Sequence, residues 1–171
     1  GYTLNSCCSN PMYPSIPENV HTLRVAGFLD HSTVNGEGFR SVLFLSGCKH
    51  NCPGCHNKEM QNFKYGEDVT LLDILTKIKK NLALIDGVTL SGGEPFEQSD
   101  ELLPLLQEIK KLGLSVWVYT GYLYEELLNS PVQSKLLPFI DVLIDGKYIE
   151  AYKDENLKYR GSSNQRFLKL T

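Results

Sequence analysis

The sequence predicts an α/β domain built on a largely parallel sheet, and two observations carry that expectation. From residue 40 onward, short apolar or β-branched runs alternate with amphipathic helical stripes, the order that builds strand–helix–strand units. Every unusual polar or glycine-rich element also falls directly after one of those runs, and parallel sheets carry their chemistry beyond the carboxyl ends of their strands. Bulk properties agree. A chain of 171 residues, 42% hydrophobic and 22% charged, is long enough for one domain with a real core and short for two. The 17 basic and 20 acidic residues leave a net charge of −3. That balance gives no cationic surface for non-specific nucleic-acid or membrane binding. No window approaches the ~18 uninterrupted apolar residues of a membrane span. No charged start followed by an apolar run reads as a secretory signal. The expectation is a cytoplasmic protein with no nucleic-acid and no membrane partner.

Residues 1–21 hold Pro11, Pro14 and Pro17 without any period, and are expected to form an N-terminal arm ahead of a domain at 22–171. Alternation begins at Thr22, and Arg24–Phe28 reads as a short N-terminal strand. Val42 to Leu45 is an apolar run bounded by Arg40-Ser41 and Ser46-Gly47, consistent with a buried strand. Leu71, Ile74, Leu75, Ile78 and Leu82 fall on one helical stripe, with Thr70 and Asp73 placed to cap its start. Val88 to Leu90 is the next strand. Leu102, Leu105, Leu106, Ile109 and Leu112 give a second helix, with Pro104 near its start and Gly113 as its stop. Leu114 to Thr120 is a β-branched and aromatic strand. Leu123 to Leu137 has a helical pattern interrupted by Pro131. Asp141 to Asp145 is a further strand, and Arg166 to Leu170 a candidate last one.

The segments directly after these strands converge. They are Ser46-Gly47-Cys48, Ser91-Gly92-Gly93-Glu94-Pro95, Thr120-Gly121 and Asp145-Gly146-Lys147. Strand periodicity alone puts all four on one rim, so a single site is expected there.

Five cysteines sharpen the chemistry. Cys7 and Cys8 are neighbours in the arm, a placement that is more often incidental. Cys48, Cys52 and Cys55 form C-x3-C-x2-C. Three thiols packed this tightly in an ordinary-sized domain read as metal ligands in a reducing compartment rather than as a disulfide scaffold. The spacing leaves two metals open. A zinc site would take these cysteines with His50 or His56, because no cysteine follows Cys55 and no histidine follows His56. A four-iron cubane on three thiolates would leave one iron free for a small chelating molecule.

The cysteine run after a first strand, with Gly92-Gly93-Glu94-Pro95 after the second, resembles the radical S-adenosylmethionine superfamily. That resemblance implies a small, incomplete (β/α) barrel, a half-barrel of the radical SAM type, with the cysteine loop at its open face. It implies a [4Fe-4S] cluster held by Cys48, Cys52 and Cys55, with S-adenosyl-L-methionine chelating the fourth iron. Gly92, Gly93 and Glu94 would line the methionine amino group, which suits backbone that approaches closely and a carboxylate that accepts from an ammonium. Gly54 and His56 would touch the adenine side. Many superfamily members carry an aromatic residue where Gly54 stands, so stacking on adenine is not expected from it.

Asn35-Gly-Glu-Gly-Phe-Arg40, the run from Gly47 to Asn57, and Gly161-Ser-Ser-Asn-Gln-Arg166 are similar to the glycyl-radical-enzyme activases, in particular those serving anaerobic ribonucleotide reductase. The similarity spans roughly residues 22–170. It implies reductive cleavage of S-adenosylmethionine and abstraction of a hydrogen from one glycine of that large partner by a 5′-deoxyadenosyl radical. An external electron donor such as a flavodoxin is implied too. Asp145 and Lys147 match an Asp-x-Lys of related activases at the cofactor or a monovalent-cation site, and Thr120 matches a polar residue with a similar role. No catalytic acid or base is expected beyond the cluster and bound cofactor. Two alternatives stand beside this one: a radical enzyme acting on a small molecule or peptide, and a zinc-stabilised, non-catalytic binding module. Asn164 and Arg166 either bind the cofactor carboxylate or close the last strand. Lys77, Lys79 and Lys80 read as a solvated helix face, and Trp117 as core.

Overall fold

The computed structural model describes residues 22–33, 35–47, 66–154, 156–157 and 159–170. Its elements are β1 (Thr22–Ser32), β2 (Arg40–Leu45), β3 (Glu67–Thr70), α1 (Leu71–Lys80), β4 (Gly87–Gly92), α2 (Ser99–Lys111), β5 (Ser115–Tyr119), α3 (Tyr124–Leu128), β6 (Val142–Asp145) and β7 (Arg166–Lys169). The strands form one seven-stranded sheet in the order β3-β1-β2-β4-β5-β6-β7. The four central strands β2, β4, β5 and β6 run parallel. Both edges are antiparallel, β3 and β1 on one side and β7 on the other.

The mixed α/β architecture therefore holds, with one strand beyond the six read from the sequence. The added strand is β3. Its sequence, Glu-Asp-Val-Thr, offers one large apolar side chain and no fully buried position, so period-2 patterning could not reveal it. It exists because Val69 and its neighbours pair with the Leu23 end of β1.

Helices α1 and α2 pack on one face. Leu71, Ile74, Leu75 and Ile78 from α1 and Leu102, Leu105, Leu106 and Ile109 from α2 share a core with Leu43, Leu45, Val88, Leu90, Val116, Val118 and Leu143 of the sheet. Each such side chain is worth roughly 1.5–3 kcal/mol of burial. Thr70 Oγ1 accepts from Asp73 N at 3.1 Å, the expected cap, and Lys77, Lys79 and Lys80 lie on the exposed face. Leu82 departs from its expected place in the stripe. The helix stops at Lys80 with Asn81 as its cap, and Leu82 is left 38% exposed.

Helix α2 starts at Ser99, ahead of its leucine stripe, after a 3-10 turn over Pro95–Gln98. Pro104 consequently lies inside the helix rather than near its first turn, and removes one hydrogen bond there. The helical pattern from Leu123 to Leu137 is broken into two pieces around Pro131, as expected. Helix α3 ends at Leu128, and a 3-10 segment follows over Gln133–Phe139. Pro131 lacks an N–H and disfavours helical backbone at Ser130, which explains the break.

On the opposite face of the sheet, Trp117, Val142 and Ile144 are buried, with Tyr119, Tyr159 and Phe167 packed beside them. Tyr159 and Phe167 meet the Trp117 ring edge-on at centroid distances of 5.0 and 5.3 Å. At the amino ends of the parallel strands this face is closed by Arg40, the last residue of the Asn35–Arg40 run, which is 1% exposed. Its Nε donates to Thr89 Oγ1 at 2.9 Å, Nη1 to Ser115 Oγ at 2.9 Å and Glu37 O at 3.3 Å, and Nη2 to Val88 O at 3.0 Å and Ser115 O at 2.9 Å. The guanidinium also stacks over Trp117 at 5.2 Å. Burial lowers its pKa to about 10, so it stays charged at neutral pH. The expected core role of Trp117 holds. Among the described residues, no helix is long and apolar enough to cross a membrane.

Candidate active site

The carboxyl ends of the same strands bring the predicted rim segments together through short hydrogen bonds. Strand β4 ends in Gly92, whose φ of +97° suits glycine. A Cβ there would lie 2.5 Å from Leu45 O and 2.6 Å from Leu45 N, so only glycine lets β4 run this close to the end of β2. Gly93 N then donates to Leu45 O at 2.7 Å, and Glu94 N to Gly47 O at 2.7 Å. The Gly-Gly-Glu segment is thereby joined to the residue immediately before Cys48.

Glu94 is fully buried. Its Oε2 accepts from Thr120 Oγ1 at 2.7 Å and Phe96 N at 3.1 Å, and its Oε1 from Gly121 N at 2.7 Å. One carboxylate thus ties the end of β4 to the turn after β5. Thr120 Oγ1 also accepts from Tyr122 N at 3.1 Å, and Tyr122 OH donates to Glu97 Oε2 at 2.6 Å. Burial and that bond push the Tyr122 phenol well above its ordinary value.

Asp145 grips the far end of the same turn. Also 0% exposed, it accepts from Tyr124 N at 2.7 Å, from Arg166 Nε at 3.0 Å and from Arg166 Nη2. Arg166 extends outward to Glu125 Oε1 at 2.8 Å. Among the described residues, the cation beside Asp145 is the Arg166 guanidinium. Of the two roles open to Arg166, the structure shows closure of the last strand, across the β6–β7 pair. Asn164 acts likewise, donating from Nδ2 to Lys147 O at 2.8 Å, while Gln165 Nε2 donates to Gly146 O at 3.0 Å. The Gly161–Arg166 run therefore pins the Asp145–Lys147 turn to the rim. The Lys147 side chain is exposed.

Gly92, Gly93, Glu94, Thr120 and Asp145 are thus joined on one rim. Cys48, Cys52, Cys55, Gly54 and His56 lie outside the described residues, as do the arm, Cys7 and Cys8. Among the described residues, no group of His, Cys, Asp and Glu side chains is placed to hold a metal ion.

Gln98 escaped the sequence altogether, and Gly121 and Ser46 stood within the rim segments without an assigned role. Gln98 Oε1 accepts from Arg24 N at 2.7 Å, while its Nε2 donates to Arg24 O at 3.1 Å and Ser46 O at 3.2 Å. Gly121 contributes only a backbone N–H. Ser46 is fully buried, and its Oγ has no hydrogen-bond partner among the described residues. The sole signal was their position within or near those segments, since amide–backbone bonding has no spacing rule. The orphaned Ser46 hydroxyl, two residues before Cys48, is a donor that suits an anionic group such as an iron–sulfur cluster.

Two comparisons with known proteins now bear on this rim. The family described as "4Fe-4S single cluster domain" matches residues 34–168, which defines the class as a single-cluster iron–sulfur domain. Of the two metals the cysteine spacing leaves open, that class carries the four-iron cluster. The anaerobic ribonucleoside-triphosphate reductase-activating protein of Haemophilus influenzae is 42% identical over 139 residues, 77% of this chain and 88% of that protein. Its namesake in Escherichia coli strain K12 is 39% identical over 77% of this chain and 89% of that protein. The namesake of Enterobacteria phage T4 is 36% identical over 78% of this chain and 85% of that protein. The chain belongs to the family of anaerobic ribonucleoside-triphosphate reductase-activating proteins.

Proposed function

We propose that this chain activates an anaerobic ribonucleotide reductase by generating a glycyl radical on it. The observation that carries the site is the bond from Glu94 N to Gly47 O, which sets the Gly-Gly-Glu segment against the start of the cysteine run. Cys48, Cys52 and Cys55 would hold a [4Fe-4S] cluster. Gly92, Gly93, Glu94 and Thr120 would line the methionine end of S-adenosyl-L-methionine, with Asp145 and Lys147 on the same rim and Gly54 and His56 on its adenine side. When bound, the cluster and cofactor would supply one-electron chemistry for taking a hydrogen atom from a glycine of the partner.

The chain's own contribution is placement. Gly92 lets backbone approach, Glu94 fixes the turn after β5, and Asp145 with Arg166 fixes its far end. No acid or base is needed to remove a hydrogen atom from a Cα–H bond, so a rim of positioning groups suffices. The open sheet reads as a half-barrel whose cavity the partner's glycine loop completes, excluding water. Residues 22–171 form the working unit, a flavodoxin-type protein supplies electrons, and the setting is cytoplasmic.

The test is anaerobic incubation of the reconstituted chain with reductant, S-adenosylmethionine and the reductase. A glycyl-radical doublet in the electron paramagnetic resonance spectrum of the reductase is expected. Its absence with a cluster-replete chain and competent reductase would remove the activase function.

A further inference from the structure

We infer that Ser46 is a positioning residue for the iron–sulfur cluster, its hydroxyl donating a hydrogen bond to a cluster sulfide or to a ligating thiolate and so raising the reduction potential. This rests on the proposed cluster at Cys48, Cys52 and Cys55. The starting observation is an imbalance. Ser46 is 0% exposed, and its Oγ has no hydrogen-bond partner among the described residues. A buried hydroxyl without a partner costs on the order of 1–3 kcal/mol, and this fold satisfies other buried serines. Ser41 is equally buried and donates to Asp30 O at 2.7 Å, while buried Ser99 donates to Phe96 O at 2.6 Å.

The backbone of Ser46 cannot turn to relieve the hydroxyl. Its N–H donates to Arg24 O at 3.0 Å, and its carbonyl accepts from Gln98 Nε2 at 3.2 Å. Two further facts locate the missing partner. Cys48 lies two positions beyond Ser46, so covalent geometry limits their Cα atoms to about 7 Å apart. Gly66, at the other end of segment 48–65, also comes against this hydroxyl. A Cβ on Gly66 would stand 2.7 Å from Ser46 Oγ and 2.1 Å from Val25 O. Gly47 and Gly66, the described residues that flank positions 48–65, thus both stand beside one unsatisfied donor. Thiolate and sulfide sulfurs accept hydrogen bonds, and donors to them favour the reduced, more negative cluster.

The experiment uses the full chain, reconstituted anaerobically with iron and sulfide. Iron and sulfide content is measured first, then the midpoint potential by a dithionite titration followed by electron paramagnetic resonance. Ser46→Ala is expected to keep the cluster and move the midpoint to a more negative value. Ser46→Thr, which retains the hydroxyl, should stay near the wild type, and Ser41→Ala should not move it. Loss of the cluster in Ser46→Ala with retention in Ser46→Thr supports the same bond, as a requirement for assembly. A cluster-replete Ser46→Ala protein with the wild-type potential overturns the inference, as does a Ser46→Thr protein indistinguishable from Ser46→Ala. A wild-type chain that takes up no iron would instead overturn the cluster on which the inference stands.

Discussion

Two buried charged side chains sit at opposite ends of the parallel strands, and they are engaged in different ways. Arg40, at the amino ends, places all five of its N–H groups on neutral acceptors from β4, β5 and its own turn. The result is a closed plug against Trp117. Glu94, at the carboxyl ends, reaches across to the turn after β5, and its backbone meets the residue before Cys48. Arg40 knits together strands that are already neighbours in the sheet. Glu94 positions loops, and loops at this end carry the chemistry of α/β folds. Burial and charge alone do not mark a functional residue; what the group holds in place does.

The largest effect expected from breaking this contrast is at the plug. Arg40→Met leaves several buried acceptors without donors at roughly 1–3 kcal/mol each, so urea denaturation should show a loss of about 3–5 kcal/mol. That is a large part of an ordinary domain's stability. Glu94→Ala should cost less stability, about 1–3 kcal/mol, while keeping a full cluster. Its effect belongs to the ligand, with S-adenosylmethionine affinity falling roughly 10-fold or more, equivalent to about 1.4 kcal/mol. Unchanged affinity by equilibrium titration would take Glu94 out of the site. Thr120→Val removes a single donor to Glu94, at about 1 kcal/mol, and should weaken the cofactor only a few-fold.

The smallest effect lies at the outer partner of Arg166. Hydrogen bonding to Arg166 holds the exposed Glu125 carboxyl below its ordinary range. A depressed folded-state value means its contribution is present above the unfolded-state pKa and fades as pH falls through the folded one. A carboxyl titration followed by nuclear magnetic resonance should place the Glu125 midpoint below the ordinary glutamate value, and Arg166→Gln should return it there.

Much of this was legible in the sequence, and the gaps have physical causes. Leu71, Ile74, Leu75 and Ile78 announced α1, because a buried helical stripe needs that spacing. The rim segments announced themselves by their place at strand ends. Glu67–Thr70 did not, because an exposed edge strand has no buried face to impose alternation. Leu82 misled because a stripe does not say where its helix is capped. Arg166 allowed two roles because a guanidinium suits a ligand carboxylate and Asp145 equally well, and only the fold shows Asp145 beside it. Ser46 stood in a rim segment, but its role left no trace in the sequence, since an unsatisfied hydroxyl is a property of its surroundings.

The central proposal, that this chain performs radical chemistry with a cluster held by Cys48, Cys52 and Cys55, is tested most directly by one anaerobic measurement. The chain is reconstituted with iron and sulfide, reduced, given S-adenosylmethionine, and assayed for 5′-deoxyadenosine. The account predicts product from the wild type and none when Cys48, Cys52 or Cys55 is replaced by alanine. A protein that holds zinc without iron and forms no 5′-deoxyadenosine would contradict it.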